Sequence, residues 1–310
     1  MSDSSNDTLV RPVALPRFPA VSASFGWCAL GVLAFSLSLP ATRAAVPEIG
    51  VLPVTFGRAF SAGVLALLVL MLRREALPKR QQLIALALVY VGVAFGFPLC
   101  TAVALASVPS THATVIIGLV PAATAIYAVV RNGERPSIGF WLAALTGALA
   151  VALFGVSQGS FHVAAADLWL LAAVGFAALG YAEGARLSSS LGGWRVISWA
   201  LVLGLPFSAA GLLWSWPSPE IHPGARALIG FAYISLISMY LAFFAWYRGL
   251  STGSIAQASQ MQLAQPVLSL GWAVVLLGEE VGVTTLAASL AVLGCAAWAR
   301  SARVRARPVG

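Results

Sequence analysis

The chain has 310 residues, 60% of them hydrophobic and only 9% charged, against roughly 25% charged in an ordinary soluble domain. With a mean hydropathy of +0.91, its 10 acids and 18 bases cannot cover a soluble enzyme, a disordered regulator or a disulfide scaffold, and a polytopic membrane protein remains. The net charge of +8 does not mark a nucleic-acid face, because the bases sit in short loops and at the termini.

Residues 1–20 form a polar tail carrying Arg11 and Arg17. Ten apolar stretches follow, at about 21–41, 52–72, 82–104, 111–130, 138–155, 167–185, 196–215, 226–247, 254–277 and 281–299. Each is close to the length a bilayer-crossing helix needs. The first is long for a signal-peptide core and is read as retained. Connections are short, and residues 301–310 form a basic tail. Cys28, Cys100 and Cys295 all fall in apolar runs and read as small hydrophobes between helices.

Placing the N-terminus inside puts fifteen bases on the cytoplasmic side. Only Arg43 and Arg226 lie outside, and Arg58 lies within the second crossing. That asymmetry predicts both termini in the cytoplasm. A shift of 145 residues lays Pro121 on Pro266, Gly133 on Gly278 and Glu134 on Glu279. The chain divides into repeats at 21–155 and 167–300, joined by a connector at 156–166 on the far side of the membrane. Five crossings per repeat force the second to be inverted, a recurring plan of secondary transporters. The fold expected is all-α: ten transmembrane helices in two inverted five-helix repeats.

A mid-helix proline followed by Gly-Glu in each half resembles the EamA-type branch of the drug/metabolite transporter superfamily. The segment "LPVTFGRAFSAGVLALL" around Arg58 is similar to that family's second helix. Within the superfamily the chain is most similar to the aromatic amino-acid exporters of bacterial inner membranes. The resemblance implies a ten-helix bundle with a central cavity lined mainly by helices 1, 3, 4, 6, 8 and 9. One departure is Leu203, which stands where the repeat would place Arg58.

The ninth crossing carries Gln257, Gln260, Gln262 and Gln265. Four amides are costly in lipid unless they meet protein or water. At about 100° per residue they cannot share one face. Gln257, Gln260 and Gln265 are assigned to the cavity, where an amide can serve either end of a zwitterion, and Gln262 to bonds between helices. All four joining helices is the alternative. The eighth crossing has a stripe of Tyr233, Ile237, Tyr240, Phe244 and Tyr247, and the third a shorter one through Tyr90, Ala94, Phe97 and Thr101. Such walls could stack on an aromatic ring, or belong to interface belts and helix packing.

Pro121 and Pro266 are candidate hinges, since proline removes a helical donor and bends the helix; static kinks for packing are the alternative. Gly92 and Gly96 form a GxxxG that favours close helix packing. Arg58 is a candidate partner for a substrate carboxylate; it can instead snorkel outward or brace a loop through Glu48 or backbone carbonyls. His112 is either an outer-end cap or a donor at the cavity mouth. Glu183 and Arg186 read as an interface pair, and Glu279 and Glu280 as structural.

The function expected is a secondary transporter of the bacterial cytoplasmic membrane. It would export aromatic and other neutral amino acids by alternating access, without obligatory proton coupling. A cationic-drug carrier of the same superfamily and a channel or structural protein are the alternatives. Partners are a small-molecule substrate and the lipid bilayer, with no nucleic acid, and the chain is expected to act as a monomer. No cofactor and no metal site are expected. No enzyme motif and no phosphate-binding loop is visible, so the chain reads as neither an enzyme nor an ATP-driven pump.

Overall fold

The structure is a computed structural model that describes residues 20–132, 135–157, 165–216, 222–252, 262, 264–301 and 304–305. The described part is helical, apart from a two-residue antiparallel pairing of Arg135–Pro136 with Val304–Arg305. In the first half lie α1 (Ala20–Ser36), α2 (Ser38–Ile49) and α3 (Val51–Leu72). They are followed by α4 (Arg80–Val89), a π-helical segment (Tyr90–Gly96) and α5 (Phe97–Leu105). Then come α6 (Ser110–Ile117), α7 (Val120–Asn132) and α8 (Ile138–Ser157). In the second half are α9 (Ala165–Leu191), α10 (Gly193–Trp214) and α11 (Ala225–Ala232). A second π-helical segment (Tyr233–Leu241) leads into α12 (Ala242–Thr252). After it come α13 (Gln265–Trp272), a third π-helical segment (Ala273–Leu277) and α14 (Val283–Ser301).

Six described stretches are long and apolar enough to cross a membrane, including Val51–Leu72, Arg80–Leu105 and Ala165–Leu191. Ser110–Thr124, Gln265–Leu277 and Val283–Cys295 are shorter apolar helices. Leu68, Leu145, Ile229 and Val275 point out of the bundle, while Val32, Leu86, Leu170, Ile197 and Met239 fill its interior. An apolar exterior and an apolar core together are what lipid as solvent selects. The chain is an all-α integral membrane protein.

Packing follows the division into halves. Helix α3 lies against α10, and α8 against α14. Helix α1 packs on α12, and its counterpart α9 packs on α5; α2 on α11 is answered by α9 on α4. Exchanging the halves returns these pairings. Both halves also turn their first corner on a single glycine. Gly50 links α2 to α3 at φ 95°, and Gly192 links α9 to α10 at φ 86°. A side chain is strained at such φ values. Gly50→Val or Gly192→Val should each cost about 1–3 kcal/mol, read as a lower melting temperature of the purified protein. An unchanged melting temperature in both would show that the corners tolerate a Cβ.

The loop between α3 and α4 is tied to α10 by Glu75, whose Oε2 and Oε1 accept from Arg195 Nε at 2.6 Å and Nη2 at 3.0 Å. Those hydrogen bonds hold the Glu75 carboxyl below its usual range. Outside the described residues lie tail residues 1–19 and 306–310, connector residues 158–164, and Gly133 and Glu134 of the repeat.

Candidate functional site

Three prolines shape the centre of the bundle. Pro40 lacks the N–H that would reach Ser36, and the chain breaks at Leu37 between α1 and α2. The Ser36 carbonyl instead accepts from Ser269 Oγ of α13 at 2.6 Å, and Ser36 Oγ accepts from Trp272 Nε1 at 2.9 Å. Pro121 follows the break between α6 and α7, and Pro266 stands at the start of α13. Each removes one helical donor, from Ile117 and Gln262 respectively.

These breaks surround two adjoining cavities. The first is walled by Thr114, Ile117, Pro121, Gln262, Pro266 and Ser269, among others. The second is walled by Phe35, Ser38, Arg58, Val93, Ser238 and Phe243, among others. Leu39, Phe97, Tyr181 and Gln265 border both. Each has a cavity volume of about 20 Å³, room for roughly one water. The walls come from both halves.

Phe97, Gln265, Pro121, Pro266 and Arg58 thus meet at one place. Arg58 is only 3% exposed and does not snorkel. Its Nη2 donates to Ser238 Oγ at 3.3 Å, and Ser238 Oγ lies 2.6 Å from Ser38 Oγ. Glu48 does not brace it, since Oε2 of Glu48 accepts from the Gly224 N–H at 2.6 Å. Gln262 is buried at the first cavity. Gln257 and Gln260 lie outside the described residues.

The aromatic stripes do not stay on one face. The tyrosine hydroxyls of Tyr233, Tyr240 and Tyr247 turn to three different partners: the Ala34 carbonyl at 2.8 Å, Ser198 Oγ at 2.9 Å and the Gly180 carbonyl at 3.1 Å. The reason is the π-helical segment Tyr233–Leu241. Its i→i+5 bonding winds more residues into each turn than the 3.6 period assumes. Tyr90 opens the first π-helical segment and meets Ser208 Oγ at 2.7 Å. Phe244 lies between Trp27 and Trp194, at 6.4 and 6.2 Å between ring centroids. These five rings join helices in this conformation; the cavity's rings are Phe35, Phe97, Tyr181 and Phe243. Tyr181 was readable as one aromatic among small residues in "AALGYAEGA". Phe35 and Phe243 carried no signal that set them apart from other apolar residues.

His112 sits away from both cavities, its Nε2 at 2.7 Å from Asp167 Oδ1 and its ring 5.1 Å from that of Phe154. Glu279 caps α6: its carboxylate accepts from the Ser110 and Thr111 N–H groups at 2.9 and 2.8 Å, where a helix N-terminus favours negative charge. Glu183 is 1% exposed and accepts from Tyr127, Arg131 and Arg186. Gly92 and Gly96 lie against α9, at Gly180 and Phe176.

A multi-pass helical bundle whose two halves enclose a small central cavity defines a membrane transporter of the two-repeat kind. The EamA-like transporter family model matches residues 23–156 and again residues 164–299, and the chain belongs to that family. It is 48% identical over 271 residues to the "Uncharacterized transporter YdeK" of Bacillus subtilis (strain 168), covering 87% of this chain and 94% of that protein. A solved structure described only as "Crystal structure of protein" shares the fold, with a TM-score of 0.62 at 20% identity over 92% of this chain and 99% of that one.

Proposed function

We propose that the chain exports small amphipathic metabolites, foremost aromatic and other neutral amino acids, across the bacterial cytoplasmic membrane. The observation that carries this reading is the composition of the cavity walls. Phe35, Phe97, Tyr181 and Phe243 offer aromatic surface, and Gln265 and Arg58 offer polar groups beside it. Among the described lining residues there is no carboxylate to draw a cationic drug.

The working architecture is ten crossings in two inverted repeats with both termini cytoplasmic, supported by the basic asymmetry of the sequence. The helix breaks at Pro121 and Pro266 act as hinges for alternating access, in keeping with cavities of about 20 Å³ that must widen to load an amino acid. The monomer is the transport unit. Transport needs no proton, since Asp167 and Glu183 are engaged by His112 and by Arg131 and Arg186, and a zwitterion moves without counter-charge.

Counterflow in proteoliposomes tests this. Vesicles preloaded with unlabelled phenylalanine should take up labelled phenylalanine saturably, and a protonophore should change nothing. Gln265→Ala should weaken apparent affinity roughly 2- to 13-fold, the worth of one neutral hydrogen bond. Absence of counterflow would exclude the amino-acid reading. Accumulation driven by an imposed pH gradient would exclude the uncoupled mechanism and direct mutagenesis to Glu183.

A further inference from the structure

We propose that Arg58 makes the cavity a carboxylate site, so that its substrates are monocarboxylates with an apolar or aryl tail, whether or not they carry an α-amino group. The proposal rests on the reading of this cavity as the substrate site, and it names what that site selects.

Arg58 is the eighth residue of α3, about 10 Å along the helix from its start. Its side chain is enclosed and borders the second cavity. Nε of Arg58 has no hydrogen-bond partner, and its Nη2 reaches only Ser238 Oγ, at 3.3 Å. A charge-assisted bond of a guanidinium is normally nearer 2.7–2.9 Å. Ser38 continues this contact as another hydroxyl, so the described residues supply dipoles but no counter-charge.

No ion pair involves Arg58 among the described residues. Glu48 binds Gly224, Glu75 binds Arg195, Asp167 faces His112, Glu183 holds Arg131 and Arg186, and Glu279 caps α6. A buried guanidinium without an anion is costly to keep. The repeat does not require it either: the equivalent position is Leu203, which is 43% exposed. An intramembrane charge that serves neither symmetry nor an internal pair points to a ligand.

The rest of the second cavity says which ligand. Phe35, Phe97, Tyr181 and Phe243 line the same cavity as Arg58. One cationic end and an aromatic remainder complement a carboxylate on a short apolar or aryl stem. For an α-ammonium the described walls offer neutral acceptors such as the Gln265 side chain. The carboxylate is therefore required and the amine is optional. A lone amine has those neutral acceptors but also meets the like charge of Arg58, with no carboxylate to offset it. When a deaminated acid crosses, net negative charge crosses with it, so its flux follows the membrane potential, whereas a zwitterion's flux does not.

The test is equilibrium binding to the full chain in lipid nanodiscs, with labelled L-phenylalanine, 3-phenylpropanoate and 2-phenylethylamine as probes. We expect 3-phenylpropanoate to bind within about tenfold of phenylalanine, and 2-phenylethylamine at least about tenfold more weakly than either. Arg58→Gln should weaken both acids at least about tenfold, and Arg58→Lys should recover part of the loss. If Arg58→Gln does not fold, the ranking on the unaltered protein decides. Phenylethylamine binding as tightly as phenylpropanoate overturns the proposal. Phenylalanine binding without phenylpropanoate also overturns it, and leaves the amino-acid reading intact. Phenylpropanoate binding without phenylalanine supports the carboxylate site and removes the amino-acid reading. Binding of none of the three overturns both.

Discussion

Replacing Arg131 and Arg186 together by alanine is expected to destabilise the protein by about 3 kcal/mol, the lower end of the cost of breaking a buried ion pair. Glu183 Oε1 accepts from Tyr127 Oη and Arg131 Nε, both at 3.2 Å, and Oε2 accepts from Arg186 Nε at 3.1 Å and Nη2 at 2.6 Å. The carboxylate is 1% exposed, so without the two arginines it keeps its desolvation and loses its counter-charges. The lower end applies because the arginines are themselves about half exposed, and water can follow them out. Adding Glu183→Gln to the double variant should restore most of the loss, since the stranded charge is then gone. Thermal melting of the three proteins in one detergent measures both effects. A double variant that melts with the wild type would show that the cluster is ornamental.

Gly92→Val is expected to cost about 3 kcal/mol or more, at the upper end of overpacking, and to abolish transport. A Cβ on Gly92 would sit 2.7 Å from Gly180 N, Gly180 Cα and the Phe176 carbonyl oxygen. These are backbone atoms of α9, so no side chain can swing aside. The two helices must separate, and Phe97 and Tyr181 on the same pair of helices move apart with them. Gly271→Ala is the matched control: nothing lies within 4 Å of its Cβ, and alanine in a helix should be neutral or gain roughly 0.5–1 kcal/mol. Equal melting temperatures for the two variants would show that close approach at Gly92 is not needed.

Particular residues show how far the sequence could be read. Hydropathy and the 145-residue repeat pointed to a helical membrane protein in two halves, and the two matches to one family model agree. Pro121 and Pro266 were visible because the repeat aligned them, and both border the first cavity. Pro40 had no counterpart and went unused, yet it breaks the helix whose carbonyl meets Ser269. The apolar pattern ends the first stretch at about 41 and places Arg43 outside. The helix runs on to Ile49 with Pro47 inside it, and Arg43 Nη1 donates to the Leu105 carbonyl at 2.5 Å. The tyrosine stripes failed for a different reason. A 3.6-residue period was projected through segments that wind as π-helix, which no pattern of residue types announces. Cavity rings such as Phe35 and Phe243 depend on which helices meet, and that is a property of packing.

The corners at Gly50 and Gly192 also carry a mechanical consequence. One residue spans at most about 3.6 Å, so each corner has no slack. Any tilt of α2 must drag the start of α3, and any tilt of α9 must drag α10, as two rods on a common pivot. The link from α3 to α4 is longer, over residues 73–79, and can take up displacement, although Arg195 moors it at Glu75. The molecule is therefore geared unevenly. Strain applied at the cavity passes undiminished from α2 into α3 and from α9 into α10, and α3 and α10 lie against each other. That contact is one place where the two halves bear on each other.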